Sequence, residues 1–305
     1  MINVQGVLIQ AIRRKIISNI SIFLKRHPVL GYYVLVFVIS WGGFLFAGGS
    51  GIFAGSGWQT DPLFQIAVLA MLAGPPIAGV VSTAIFSGKK GLRDLFSRLL
   101  KWRVSIRWYM VALLIAPLLQ AVVLIALSLI STEYLPAIVK AGDKVTLIVL
   151  GVVVGIIGGF VEELGWTGFA IPRLRLRYSV FTTGIIVGIL WGVWHLLQMI
   201  WVGRTSAEAI PLALFLIQYF FCAIAQLTAF RILMVWVYDR SESLLMLLLM
   251  HASYIFSTLF VLAPPITGRA FLTYTWVFTA VLWAVVVVIL LNRGSLERET
   301  IGRTR

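Results

Sequence analysis

Long uninterrupted runs of apolar residues alternate with short polar segments along this chain. A helix that crosses the hydrocarbon core of a bilayer, about 30 Å thick, needs about 20 predominantly apolar residues. Eight segments meet this requirement, and they predict transmembrane helices over residues 29–47, 63–86, 109–130, 146–168, 180–201, 211–236, 243–262 and 271–291. The second contains Pro75-Pro76, which predicts a kink. The pattern therefore predicts an all-α membrane protein, a bundle of about eight transmembrane helices.

The composition excludes a water-soluble fold of this size. Of 305 residues, 60% are hydrophobic and only 12% are charged, whereas soluble domains carry about 25% charged residues. The sequence has one cysteine, Cys222, within an apolar run, so neither an internal disulfide nor a zinc site built on paired cysteines is available.

Two basic segments predict amphipathic helices on the membrane surface. Residues 1–28 mix apolar positions with arginines and lysines and do not resemble a cleavable signal peptide. Residues 91–108 place leucines and Phe96 among basic side chains in the same way. Between and beyond these helices, we interpret residues 29–291 as a single polytopic membrane domain and residues 292–305 as a basic cytoplasmic tail.

The distribution of basic residues predicts the orientation of the bundle. With the N-terminus inside, 20 Lys and Arg residues fall on the cytoplasmic side and four on the outer side, which predicts that both termini are cytoplasmic. The net charge of +14 then indicates anionic lipid headgroups as partners, and not nucleic acid. Since no organelle signal is evident, the plasma membrane of a bacterium is the expected location.

Ionisable residues inside the predicted spans are candidates for function, because charged groups are costly in a bilayer. Of eleven acids only Glu162 and Glu163 lie within a span, accompanied by His195, His251 and Arg231. At 1.5 Å per residue, the Glu pair lies roughly 10 Å and His251 roughly 12 Å from the cytoplasmic side. His195 would lie roughly 22 Å deep unless its helix starts later, is tilted or is broken.

These residue types suit the hydrolysis of an amide bond. A buried carboxylate can act as general base towards water and then as general acid towards the leaving amine. Two histidines can donate to an oxyanion, or bind a metal. Glu162, His195 and His251 match a catalytic zinc ligand set, although the helical His-Glu-x-x-His signature is absent, so the sequence leaves open either no cofactor or a divalent metal such as zinc.

Three short motifs within about residues 145–262 resemble the CPBP family, which contains type II CAAX prenyl endopeptidases and bacteriocin-processing or self-immunity proteins. The stretch from Glu162-Glu163 to Phe169 is similar to its first motif, Glu-Glu-x-x-x-Arg. Trp191 and His195 match the second motif, an aromatic residue followed four positions later by His, and His251 matches the third.

The resemblance implies an active site in a cavity that opens to the cytoplasm. Glu162 would activate water and Glu163 would support it, while His195 and His251 would orient water and stabilise the oxyanion. Supporting positions would be Trp166, Trp191 and Arg231. The substrate would be a peptide or a segment of a membrane protein, either lipidated or not, cleaved near the cytoplasmic membrane face.

Two positions depart from the family pattern. Thr167 stands where the first motif has Arg, and Ile255 stands where the third motif usually has Asn. Loss of one oxyanion donor costs roughly 10²–10³ in rate. We hypothesise that Arg231 replaces the missing charge, and that Gln226 and Tyr254 are substitute donors.

These departures keep two alternatives to an endopeptidase open. The first is a catalytically weakened member that binds a peptide or confers bacteriocin immunity without cutting. The second is a proton-coupled transporter in which the Glu–His cluster relays protons, although the internal repeats and paired broken helices of transporters do not stand out here.

Overall fold

The structure, a computed structural model, describes residues 25–49, 51 and 61–292. The surface helix predicted over residues 1–28 lies outside them except for its last four residues, and the tail lies outside them from residue 293 onward. The described residues are mostly helical, in the order α1 (Pro28–Gly48), α2 (Pro62–Leu72), α3 (Gly74–Leu99), α4 (Ile106–Ser128), α5 (Ala137–Lys140), α6 (Lys144–Gly165), α7 (Ile171–Leu174), α8 (Val180–Trp194), α9 (Leu196–Ser206), α10 (Leu212–Ser241), α11 (Leu244–Ile255) and α12 (Gly268–Leu291). Two π-helical segments, Trp166–Ala170 and Phe256–Val261, directly follow α6 and α11.

The prediction of an all-α membrane protein with about eight spans is confirmed. Among the described residues, seven helical stretches are long and apolar enough to cross a membrane. The eighth is the pair α8 and α9, which together pass the same test but are bent by 56° at His195. One buried apolar cluster extends from Tyr32 in α1 to Val286 in α12.

The predicted interruption of the second span lies just before its two prolines. α2 ends at Leu72 and α3 begins at Gly74, so Pro75 and Pro76 occupy the first turn of α3. A missing backbone N–H costs nothing there, since the first turn of a helix has no intrahelical acceptor for it. Because the helix breaks at Ala73, both prolines fit into the span without the loss of an intrahelical hydrogen bond.

The amphipathic helix predicted over residues 91–108 is wrong in its second half. α3 continues through this region only to Leu99, with a break at Gly88, where φ is 57°. Residues 100–105 are not helical, and Trp108 is buried in α4. The physical reason is that Ile106 begins the next span and Trp108 is buried within it, so the chain has to turn before them.

Glycines spaced four residues apart bring the central helices into close contact. A Cβ added to Gly155 in α6 would lie 2.6 Å from the Ala252 carbonyl oxygen of α11. Along α8, a Cβ at Gly184, Gly188 or Gly192 would lie 2.5–2.9 Å from backbone atoms of α10. Small residues allow helix backbones in a membrane to approach this closely, so α6 packs on α11 and α8 on α10.

The two ends of the bundle differ in charge. One end carries the last part of α3 from Ser87, the turn at residues 100–105 and the segments 170–179 and 239–243, and we call it the basic end. Its described cations are Lys25, Arg26, Lys89, Lys90, Arg93, Arg98, Lys101, Arg103, Arg107, Arg173, Arg175, Arg177 and Arg240, against the acids Asp94, Asp239 and Glu242. The opposite end carries Lys140, Lys144, Arg204 and Arg269 against Asp61, Glu133, Asp143 and Glu208.

Candidate active site

The two adjacent carboxylates lie at the end of α6, buried within the bundle. Glu162 is 4% exposed and Glu163 is 1% exposed. Neighbouring residues of a helix point about 100° apart, so the two carboxylates meet different partners. The backbone becomes π-helical immediately afterwards, at Trp166–Ala170, and single π turns are frequent at functional sites.

Glu163 is held by three donor side chains from three different segments. Nη1 of Arg231 in α10 lies 2.9 Å from both carboxylate oxygens, and Nδ1 of His251 in α11 lies 2.7 Å from Oε1. The hydroxyl of Thr167 donates to Oε2. All four side chains are buried, so the Glu163 carboxylate is fully engaged in binding its neighbours.

Arg231 brings a positive charge to the position where the first motif lacks one. Its side chain is 0% exposed, and its guanidinium carbon lies 4.1 Å from the ring centroid of Trp191. Its Nε and Nη2 atoms have no hydrogen-bond partner among the described residues. An unpaired buried donor is costly, which makes these N–H groups candidates to bind water or a substrate carbonyl.

The two carboxylate oxygens of Glu162 differ in their hydrogen bonds. Its Oε2 accepts hydrogen bonds from the indole N–H groups of Trp191, at 2.7 Å, and Trp166, at 3.3 Å. Its Oε1 lies 3.8 Å from Nε2 of His251, which is too long for a direct hydrogen bond. The two indoles therefore orient the carboxylate, and Oε1 is the oxygen that can take a proton.

The hydrogen bonds of the two histidines define their neutral tautomers. Nδ1 of His195 lies 2.8 Å from the Trp191 carbonyl oxygen, which can only accept, so Nδ1 carries the proton. Nδ1 of His251 meets the Glu163 carboxylate in the same way. In the neutral rings both Nε2 atoms therefore carry a lone pair and can accept a hydrogen bond from water.

His195 reaches this cluster because its helix is broken. It terminates α8, and α9 continues at an angle of 56°, which is one of the possibilities that its predicted depth of roughly 22 Å left open. The Trp191 ring contacts both histidines, with its centroid 5.8 Å from that of His195 and 5.2 Å from that of His251.

All seven residues named from the sequence thus fall in one cluster. Glu162, Glu163, Trp166, Trp191, Arg231 and His251 are joined by hydrogen bonds or ring contacts, and His195 lies against Trp191. In the part of the chain that the structure describes, no three His, Cys, Asp or Glu side chains are arranged to hold a metal ion. The choice between no cofactor and a divalent metal at Glu162, His195 and His251 stays a prediction.

Gln226 and Tyr254, the two substitute donors proposed from the sequence, form a hydrogen bond with each other. Nε2 of Gln226 donates to the Tyr254 hydroxyl at 2.6 Å, and the Tyr254 ring stacks on Phe230 with centroids 4.4 Å apart. Ile255, where the third motif usually has Asn, packs against α6, since a Cβ at Gly158 would lie 2.7 Å from its Cδ1. The Ile255 side chain therefore makes an apolar contact with α6, the helix that carries the Glu pair.

Residues of α1 support the cluster, although sequence reasoning did not identify them. Nε1 of Trp41 donates to the Trp194 carbonyl at 3.0 Å, next to the break at His195. The Tyr33 ring stacks on Trp166 with centroids 5.7 Å apart. Aromatic residues are common in apolar spans, so no sequence signal separates these two from the rest.

The matched family model covers the part of the chain that carries this cluster. Residues 144–257 match the model described as Type II CAAX prenyl endopeptidase Rce1-like. The match supports the resemblance of this segment to the CPBP family. Its limits include every residue of the cluster from Glu162 to His251 and agree with the region, about 145–262, over which the motifs resemble that family.

A curated protein shares a short stretch with this chain. Over 34 residues the chain is 53% identical to CAAX prenyl protease 2 of Methanococcus maripaludis. The stretch covers 11% of this chain and 12% of that protein. The similarity to this relative therefore concerns a segment, while the flanking helices are compared only by their apolar character.

Proposed function

We propose that this chain is an intramembrane endopeptidase in which Glu162 activates a water molecule. The observation that carries the proposal is the different engagement of the two carboxylates. Glu163 is bound by Arg231, His251 and Thr167, whereas Oε1 of Glu162 faces Nε2 of His251 across 3.8 Å. A water molecule that binds both atoms has one O–H directed at a carboxylate base.

The proposed reaction follows from these contacts. Glu162 takes a proton from water, and the resulting hydroxide attacks the peptide carbonyl carbon to give a tetrahedral oxyanion. The unpaired N–H groups of Arg231 are the candidate donors to this oxyanion, and the Nε2 lone pairs of the neutral histidines would orient the attacking water. Collapse of the intermediate breaks the C–N bond, and Glu162 returns its proton to the leaving amine.

The proposal includes an orientation and a class of substrate. The excess of Lys and Arg at the basic end supports placing that end in the cytoplasm, with both termini there, in the plasma membrane of a bacterium. Glu162 lies near that end of α6, so the scissile bond would lie near the cytoplasmic face. The relative's name, CAAX prenyl protease 2, supports lipidated peptides as substrates to test first.

The test is cleavage by the purified protein in detergent, with a pooled library of lipidated and unlipidated peptides analysed by mass spectrometry. We expect cleavage by the wild type and none by Glu162→Gln, which keeps the shape of the side chain and removes the base. Glu208→Gln is the matched control, because Glu208 is an exposed carboxylate at the opposite end of the bundle. Equal cleavage by wild type and Glu162→Gln would overturn the role of Glu162.

A second candidate function is peptide binding without cleavage. It is favoured by Ile255, whose apolar packing against α6 leaves no amide donor at that position. In this case Glu162→Gln would retain both the peptide affinity and any immunity phenotype of the wild type. A binding assay with the same library, followed by mass spectrometry of the bound peptides, separates intact ligands from products.

A further inference from the structure

A surface at the basic end combines exposed cations with exposed apolar side chains. It is formed by residues 89–107, which comprise the part of α3 after the break at Gly88, the turn at residues 100–105 and the start of α4, and we call it the basic surface. Four large apolar side chains point outward on it: Phe96 is 50% exposed, Leu100 71%, Trp102 61% and Ile106 73%. This surface lies where the spans that contain α3 and α4 end.

Most cations of the basic surface lack an acidic partner. Arg98 pairs with Asp94, and Lys101 lies 3.5 Å from Glu242. The other five, in the part of the chain that the structure describes, form no ion pair with a carboxylate: they are Lys89, Lys90, Arg93, Arg103 and Arg107. These five side chains are exposed, so their charge is available to an external anion.

Two of the unpaired arginines are held in place by tryptophan rings. The guanidinium carbon of Arg103 lies 5.1 Å from the ring centroid of Trp102, and that of Arg107 lies 5.1 Å from that of Trp108. A stacked guanidinium keeps its N–H edge free for bidentate hydrogen bonds to a phosphate. Trp108 is buried and the Tyr109 hydroxyl binds the Trp102 carbonyl, so the arginines project from an ordered turn.

We propose that the basic surface binds the headgroups of anionic phospholipids in the leaflet at this end of the bundle. The unpaired cations match the phosphate groups, and the apolar side chains among them match the upper part of the acyl chains. A soluble polyanion would satisfy only the cations and would leave four apolar side chains in water. The position between two spans places the surface at the boundary where headgroups and acyl chains meet.

The test uses the full chain in detergent and measures binding of phosphatidylglycerol and phosphatidylcholine by native mass spectrometry. We expect phosphatidylglycerol to bind more tightly to the wild type. The variant Arg93→Gln/Arg103→Gln/Arg107→Gln should bind it roughly a hundredfold more weakly, because each Lys or Arg near an anionic surface contributes about fivefold. The control Lys140→Gln/Lys144→Gln/Arg269→Gln removes the same charge at the opposite end and should bind like the wild type.

Three results would overturn the proposal. They are equal affinity of the wild type for the two lipids, equal phosphatidylglycerol affinity of the two variants, and full competition by inorganic phosphate at the lipid's own concentration. The last would indicate a site for free phosphate. If the triple variant does not fold, as judged by circular dichroism, the wild type alone decides. Its affinity for phosphatidylglycerol should fall steeply with ionic strength, and an affinity that does not depend on salt contradicts the proposal.

Discussion

Two identical neighbouring residues, Glu162 and Glu163, have different environments because a helix turns them towards different partners. Glu163 meets a guanidinium, an imidazole and a hydroxyl, and Glu162 meets two indole N–H groups and faces an imidazole nitrogen. The guanidinium compensates the charge of Glu163, while the indoles orient Glu162 without neutralising it. These contacts support different roles for the two residues: Glu163 anchors the cluster, and Glu162 is the base of the proposed reaction.

Replacement of the anchor should affect stability more than replacement of the base. Glu163→Gln leaves the buried guanidinium of Arg231 without its counter-charge, and breaking a buried pair by removing one partner costs about 3–5 kcal/mol. Glu162→Gln removes no ion pair with Arg231 and should change stability by about 1 kcal/mol or less. Thermal unfolding in detergent measures both, and an equal loss for the two variants would contradict the assignment of roles.

The charge that the first motif lacks should be transferable between positions 231 and 167. Arg231→Gln should lower peptidase activity at least about a hundredfold, because Glu163 loses its counter-charge and the oxyanion loses a donor. Thr167 also contacts Glu163, so Thr167→Arg in the Arg231→Gln background restores a cation from one turn away. We expect the double variant to recover part of the activity in a cleavage assay; no recovery would show that Arg231 does more than supply charge.

At the scale of helices, close packing between glycine-bearing faces sets the geometry of the cluster. Gly155 and Gly159 allow α6 to approach the backbone of α11. This approach brings Glu163 within hydrogen-bond distance of His251. The π segments that follow both helices alter the spacing after the Glu pair and after His251. The cluster therefore depends on helix separation as much as on the identity of its own residues.

Widening this interface should weaken both fold and activity. The added Cβ of Gly155→Ala would lie 2.6 Å from the Ala252 carbonyl oxygen, and overpacking of this kind costs about 1–3 kcal/mol. Gly42→Ala is the matched control, because Gly42 lies inside α1 with nothing within 4 Å of an added Cβ. We expect a lower unfolding temperature and lower activity only for Gly155→Ala. Similar unfolding temperatures for the two variants would show that α6 and α11 are packed less closely than the distance of 2.6 Å at Gly155 indicates.

At the scale of the whole molecule, the asymmetry of charge relates the site to one membrane face. The Glu pair and His251 lie towards the end at which the unpaired cations collect, while the opposite end carries equal numbers of acids and bases. Lys and Arg are retained on the cytoplasmic side of membrane proteins. The Glu–His cluster and the basic surface therefore lie towards the same end of the bundle.

The proposed orientation can be measured by labelling single cysteines in intact cells with a membrane-impermeant maleimide. Cys222 is buried, so the wild type should show little background. We expect labelling of Lys140→Cys at the opposite end without permeabilisation, and labelling of Arg177→Cys at the basic end only after the membrane is opened. The reverse pattern would place the basic end outside and contradict cleavage near the cytoplasmic face.

The sequence by itself determined the class of fold and predicted the residues of the candidate site. Runs of about 20 apolar residues require spanning helices, and a buried ionisable group is so costly that the few within these runs stand out. For this reason Glu162, Glu163, His195, His251 and Arg231 are recognisable without a structure. Their order and spacing also indicated the family whose model matches residues 144–257.

Only the tertiary structure decided how these residues are paired and where the helices break. Arg231 is 68 residues from Glu163 in the chain, and no periodicity within one helix predicts which partner a side chain meets across the bundle. The bend at His195, the two π segments and the turn at residues 100–105 depend on contacts with other helices, such as the hydrogen bond from Trp41 to the Trp194 carbonyl. Hydropathy describes the free energy of transferring a side chain between lipid and water, and it carries no information about these contacts.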